Sequence, residues 1–95
     1  KIEIQTSFQS RFGPQEWLTP YTDKTLELLP NKGVKKLLVI CPGFASDCVE
    51  TLEEINIQGK ESFLKSGGEK FDLIPCLNDN PDHIMLFESL VKKYF

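Results

Sequence analysis

Residues 36–41, KLLVIC, restrict the fold more than any other stretch. Leu37, Leu38, Val39, Ile40 and Cys41 form an unbroken apolar run, the pattern of a strand covered on both faces in a parallel sheet. Pro42 cannot donate to a strand ladder, and Gly43 can adopt backbone angles that other residues avoid, so the strand ends there. Ser46 or Asp47 can then cap a helix, and Asp47 and Glu50 have the spacing of a capping box. In α/β folds, such a junction at the carboxyl end of a strand is where ligands bind.

The rest of the chain alternates around this junction. Ile2 to Gln9 reads as a strand with imperfect alternation. Ser10 to Pro20 is a loop carrying Phe12, Trp17 and Leu18, which must pack on the domain body or on a ligand. Thr19 or Thr22 caps the next helix, with Thr25, Leu26, Leu28 and Leu29 on its apolar side and Pro30 and Gly33 at its end. A helix from Asp47 to about Lys65 follows the central strand. At about 100° per residue, Val49, Leu52, Ile55, Gly59 and Phe63 share one side, and Asp47, Glu50, Glu54 and Glu61 the other. Ser66-Gly67-Gly68 stops that helix, and Phe71 to Cys76 is a third short strand. Asn80 before Pro81 caps a last helix, with Ile84, Phe87, Leu90, Val91 and Tyr94 on one side. The order strand-helix-strand-helix-strand-helix predicts an α/β fold, a small parallel sheet flanked by helices in three layers. Three strands are few for such a sheet, which points to a partner lobe elsewhere.

A chain of 95 residues makes one small domain or part of a larger one. With a net charge of −3 and no basic run beside its aromatics, it is not expected to bind nucleic acid. No apolar segment reaches membrane-spanning length; association with a membrane surface is left open. Cys41, Cys48 and Cys76 include no CxxC pair, so a zinc or iron–sulfur site is not expected. Reduced thiols in a cytoplasmic protein are the plain reading.

Several side chains have both a chemical and a plain reading. Asp47, Glu50 and Glu54 converge on one side of the helix and could hold a divalent cation or take protons, or form a cap and a solvated acidic face. Phe44 at the tip of the turn, like Trp17 in the loop, either fills the core or stacks on a flat ligand. Gly43 to Asp47 lacks a phosphate-loop pattern, and Asp47 would repel a phosphate. His83 beside Asp82 reads as exposed surface. Cys48 lies where a thiol can be acidified, but its position favours a small apolar filler.

Three segments resemble one family. Phe8-Gln9-Ser10-Arg11-Phe12-Gly13-Pro14 with Trp17-Leu18-Thr19-Pro20-Tyr21-Thr22-Asp23 is similar to a FQS-x-x-G-P…W-L-x-P-x-T-D segment of ferrochelatases. Gly43-Phe44-Ala45-Ser46-Asp47-Cys48-Val49-Glu50-Thr51-Leu52-Glu53-Glu54 resembles their G-F-x-[SA]-D-x-x-E-T-L-x-E signature, and Leu77-Asn78-Asp79-Asn80-Pro81 their L-N-x-N-P segment. The resemblance implies that residues 1–95 are the carboxyl-terminal part of an enzyme that inserts Fe²⁺ into protoporphyrin IX, with two α/β lobes around a porphyrin cleft. It implies metal binding and proton handling at Glu50, cleft positions for Phe44 and Asp47, and a pocket-lining ring at Trp17. No tightly bound cofactor and no iron–sulfur cluster are implied. Many relatives carry histidine where this chain has Cys48, and cysteine there hints at a bacterial source. The family's metal-binding histidine belongs to an H-G-x-P segment ahead of this stretch. His83 is not its counterpart. Two other readings compete: a flavodoxin-like or receiver-like regulatory module, and a non-catalytic porphyrin carrier.

Overall fold

The computed structural model describes residues 3–10, 16 and 18–94. The loop rings Phe12 and Trp17 lie outside the described residues. Helix α1 (Thr22–Leu28) runs into a 3-10 turn (Leu29–Lys32) that ends on Gly33 in the left-handed region, φ 93°. Strand β1 (Lys36–Val39) follows, then a π-helix (Val49–Gly59) continuous with α2 (Lys60–Lys65), strand β2 (Lys70–Leu73) and helix α3 (Pro81–Lys92). The two strands are parallel, Leu37 opposite Phe71 and Val39 opposite Leu73. The α/β class and the parallel sheet therefore hold.

The sheet has two strands among the described residues, not three. The segment before Gln9 makes one isolated bridge, Phe8 to Tyr21, through Phe8 N–H to Pro20 O and Thr22 N–H to Phe8 O, both 2.9 Å. Its alternation is imperfect, and residues 3–6 are all exposed, so it has no apolar face to hold it against a sheet.

Leu26, Cys41, Ile55, Phe63 and Phe71 form the buried core, with Leu37, Val39, Phe44 and Leu73 packed against it. The strand alternation sends Leu37, Val39 and Cys41 inward. It sends Leu38 and Ile40 the other way, and they remain 63% and 62% exposed. The expectation that β1 is covered on both faces is thus corrected: helices cover one face. The apolar side of α3 is open too, with Ile84, Phe87, Leu90, Val91 and Tyr94 all exposed. A radius of gyration of 15.8 Å, against about 12 Å for a compact chain of this length, agrees with an unclosed arrangement.

The long central helix departs most from expectation. It begins at Val49 rather than Asp47, and over eleven residues it is a π-helix. Its i→i+5 bonding widens the turn beyond the α-helical repeat. The buried stripe consequently runs at steps of four: Thr51, Ile55, Gly59, Phe63. Val49 and Leu52, placed inside by an α-helical wheel, are exposed. Gly59 is the close approach to α1: a Cβ there would lie 2.8 Å from Leu26 Cδ1.

The helix ends as its sequence indicates. Ser66 is the C-cap, Gly67 takes φ 112°, Gly67 N–H reaches Leu64 O at 3.2 Å and Gly68 N–H reaches Phe63 O at 2.9 Å. This is the paired bonding of a Schellman motif. Asn80 caps α3 as expected, its side chain accepting from Asp82 N–H at 3.0 Å, with Pro81 at the first helical position. Thr22 caps nothing. Its hydroxyl instead bonds Ser7 Oγ at 2.8 Å, fastening the leading segment to α1.

Candidate active site

The site grows from the end of β1. After Cys41 the chain turns, closed by Phe44 N–H to Cys41 O at 3.2 Å. Gly43 does not use the left-handed region, and a Cβ on it would meet nothing within 4 Å. Phe44 is half-buried and rests on the core. Its ring therefore has both a packed part and a part left accessible.

The capping box forms one residue later than Asp47 and Glu50 suggest. Cys48 is the N-cap, in extended geometry, and its N–H donates to Thr51 Oγ1 at 3.0 Å. Thr51 is fully buried and donates its hydroxyl to Asp47 Oδ1 at 2.9 Å. This releases Asp47 from capping. Its Oδ2 accepts from Asn78 Nδ2 at 2.9 Å and from Cys76 N–H at 3.2 Å, while its own N–H donates to Asn78 Oδ1 at 2.7 Å. Asn78 stands in the left-handed region, φ 50°, and its N–H bonds Ala45 O at 3.0 Å. Asp47 and Asn78 thus form a reciprocal staple between the turn after β1 and the loop after β2.

The Asn78 amide, then the Thr51 hydroxyl, hold the Asp47 carboxyl below the usual carboxylate range. A carboxyl with a lowered folded-state pKa binds fewer protons folded than unfolded. Its contribution is present above the ordinary aspartate pKa, near 3.9, and is lost as pH falls through the lower folded value. Replacing Asp47 with Asn in the complete protein is expected to flatten the loss of stability between about pH 4 and pH 2, read as denaturant midpoints across that range. An unchanged acid dependence would remove Asp47 as its source.

Glu50 occupies the second position of the π-helix and is neither sealed in nor fully exposed. Cys48 Sγ donates to Glu50 Oε2 at 2.8 Å. That bond first, and Glu50's own backbone N–H second, hold its carboxyl below the ordinary range, so it is ionised at neutral pH. Gln9 Nε2 donates to the Glu50 carbonyl at 3.0 Å. Cys48 is therefore a donor at the site rather than an apolar filler. The other two thiols are kept protonated: burial raises Cys41, and Cys76 is pushed up to about 11, by burial first and then by Asp47.

The sequence-named residues divide. Asp47, Cys48, Glu50 and Thr51 meet in one hydrogen-bonded cluster. Asp47, Glu50 and Glu54 do not converge as a cation site: Asp47 turns to the staple, and no group of three ligating side chains occurs among the described residues. Glu54 faces a separate groove of about 550 Å³ between α1 and the π-helix, which also carries Tyr21, Glu27 and Gln58. Trp17 is outside the described residues. His83 is buried rather than exposed, its Nδ1–H donating to Asn78 O at 2.7 Å and its ring 4.4 Å from that of Phe87. Gln9, Thr51 and Asn78 join the cluster without being marked as site residues by the sequence. Thr51 three positions after Cys48 is the spacing that marks the true cap, and Asn in a Gly-free turn is the usual mark of a left-handed residue.

The ferrochelatase family model matches residues 1–94. The ferrochelatase of Hamiltonella defensa is 62% identical over 89 residues, 94% of this chain and 28% of that protein. Those of Vibrio vulnificus and Cronobacter sakazakii are 63% and 55% identical, over 96% and 97% of this chain and 28% and 29% of their own lengths. The chain spans little more than a quarter of the relatives it matches. With the strand–turn–π-helix junction carrying the signature residues and the match running nearly end to end, the chain belongs to the ferrochelatase family.

Proposed function

We propose that this chain is the carboxyl-terminal part of an enzyme that inserts Fe²⁺ into protoporphyrin IX to give protohaem, and that it supplies half of the cleft. One observation carries the reading: the Glu50 carboxylate, accepting from the Cys48 thiol at 2.8 Å, sits at the first turn beyond the central strand. Insertion exchanges both pyrrole N–H protons for Fe²⁺, so a base must take protons while the metal is handed over. An ionised carboxylate can accept a proton. With an imidazole from the H-G-x-P segment ahead of this stretch it can also hold Fe²⁺ loosely enough to release it. Iron here is substrate rather than resident cofactor, and no tightly bound cofactor or iron–sulfur cluster takes part. Phe44 and Trp17 hold the flat macrocycle by their rings, and Asp47 borders it while fixing the turn. The open apolar side of β1 and the uncovered side of α3 support a missing lobe that completes the cleft. The protein acts in the cytoplasm.

The test is metal insertion, followed as loss of protoporphyrin fluorescence with Fe²⁺ or Zn²⁺. The complete protein is expected to turn over and residues 1–95 alone to be inactive. Near-full turnover by residues 1–95, or none by the complete protein, would overturn the reading. Tight porphyrin binding without insertion by the complete protein would favour a carrier.

A further inference from the structure

We infer that Gln9 is a positioning residue for Glu50, an inference that rests on the base role proposed for that carboxylate. Gln9 uses both ends of its amide. Nε2 donates to the Glu50 carbonyl at 3.0 Å, and Oε1 accepts from Cys41 Sγ at 3.7 Å. Cys41 is buried just beyond the end of β1. The amide therefore spans the gap between the end of the strand and the first turn of the π-helix.

Gln9 is itself well placed to act as a reference. The preceding residue, Phe8, is fixed to Pro20 and Thr22 by two backbone bonds of 2.9 Å, and Ser7 bonds the Thr22 hydroxyl. Cys48, which holds the Glu50 carboxylate, sits on the same turn and moves with it. Gln9 comes from 41 residues earlier in the chain and sets that turn against the sheet. Carboxylate position follows from both constraints: Cys48 sets where the side chain points, and Gln9 sets where its Cα lies. A π-helix is a rare geometry, so a tether on a carbonyl of its first turn has a larger effect than on a regular α-helix.

Two substitutions in the complete protein separate this role from simple packing. Gln9→Glu keeps the shape and the oxygen facing Cys41, but sets an oxygen against the Glu50 carbonyl. Gln9→Met keeps length without charge and removes both bonds. Each is expected to lower kcat about tenfold with KM for protoporphyrin changed less than about twofold. In a Glu50→Gln background the same changes should lower the residual kcat by less than about twofold, because residues acting through one group are not additive. Unchanged kcat, or equal fold-losses in both backgrounds, would overturn the inference, as would failure of both variants to fold. Amide exchange over residues 49–55 gives a readout independent of activity. It should be faster in Gln9→Met, and unchanged exchange would also overturn the tether. Absence of insertion by the unsubstituted protein would sink the proposed function instead, with the exchange result still deciding the tether.

Discussion

Glu50→Gln in the complete protein is expected to lower kcat for metal insertion by about a hundredfold or more, the range for losing a positioned general base. The amide keeps the shape of the side chain and can still meet Cys48, so the helix start should survive. It cannot accept a proton at neutral pH or balance the charge of Fe²⁺. The KM for protoporphyrin should move little, since rings and not this carboxylate are proposed to hold the macrocycle. A fall in kcat and kcat/KM together is the mark of an interaction made in the transition state. A rise in KM with kcat intact would reassign Glu50 to porphyrin binding.

Gly68→Ala should be the most damaging single-methyl change in the fold, by about 3 kcal/mol. A Cβ at Gly68 would fall on the Phe63 ring. That ring has no escape: Phe63 is fully buried, its centroid lies 5.9 Å from that of Phe71, and its carbonyl accepts the Gly68 N–H. The added carbon must displace either the core or the Schellman end of α2. Gly43→Ala provides the control, since nothing lies within 4 Å of a Cβ there. Thermal unfolding of the complete protein should show Gly68→Ala lowered by roughly 5 °C or more and Gly43→Ala within about 1 °C. Equal melting points would mean that the Phe63 pocket yields.

What the sequence disclosed follows from how local each signal is. The central strand, the glycine stop at Gly67 and the Asn80-Pro81 cap depend on neighbours within a few residues, and each is where its residues indicate, except that the strand expected over 36–41 ends at Val39. The π-helix is not legible in the sequence because the same apolar spacing also fits an α-helical repeat. The wider turn exchanges Val49 and Leu52 for Thr51 on the buried side. The apolar run of β1 predicts two covered faces. Leu38 and Ile40 do carry that signal, yet among the described residues they stay exposed. In the site, Glu50 was identifiable from its motif. Its partner Cys48 and the Asp47–Asn78 staple were not, because they depend on which side chain turns back onto the turn and which reaches a loop 31 residues away. The burial of His83 is hidden from the sequence for the same reason, since the Asn78 carbonyl that receives it is a property of the loop's left-handed turn.

The most direct test is a single turnover of protoporphyrin IX with excess metal on the complete protein that carries this segment. The account predicts full metal–porphyrin formation by the unsubstituted protein, and porphyrin that binds but stays unmetallated on Glu50→Gln over the same interval. Metallation by Glu50→Gln at the unsubstituted rate would contradict it.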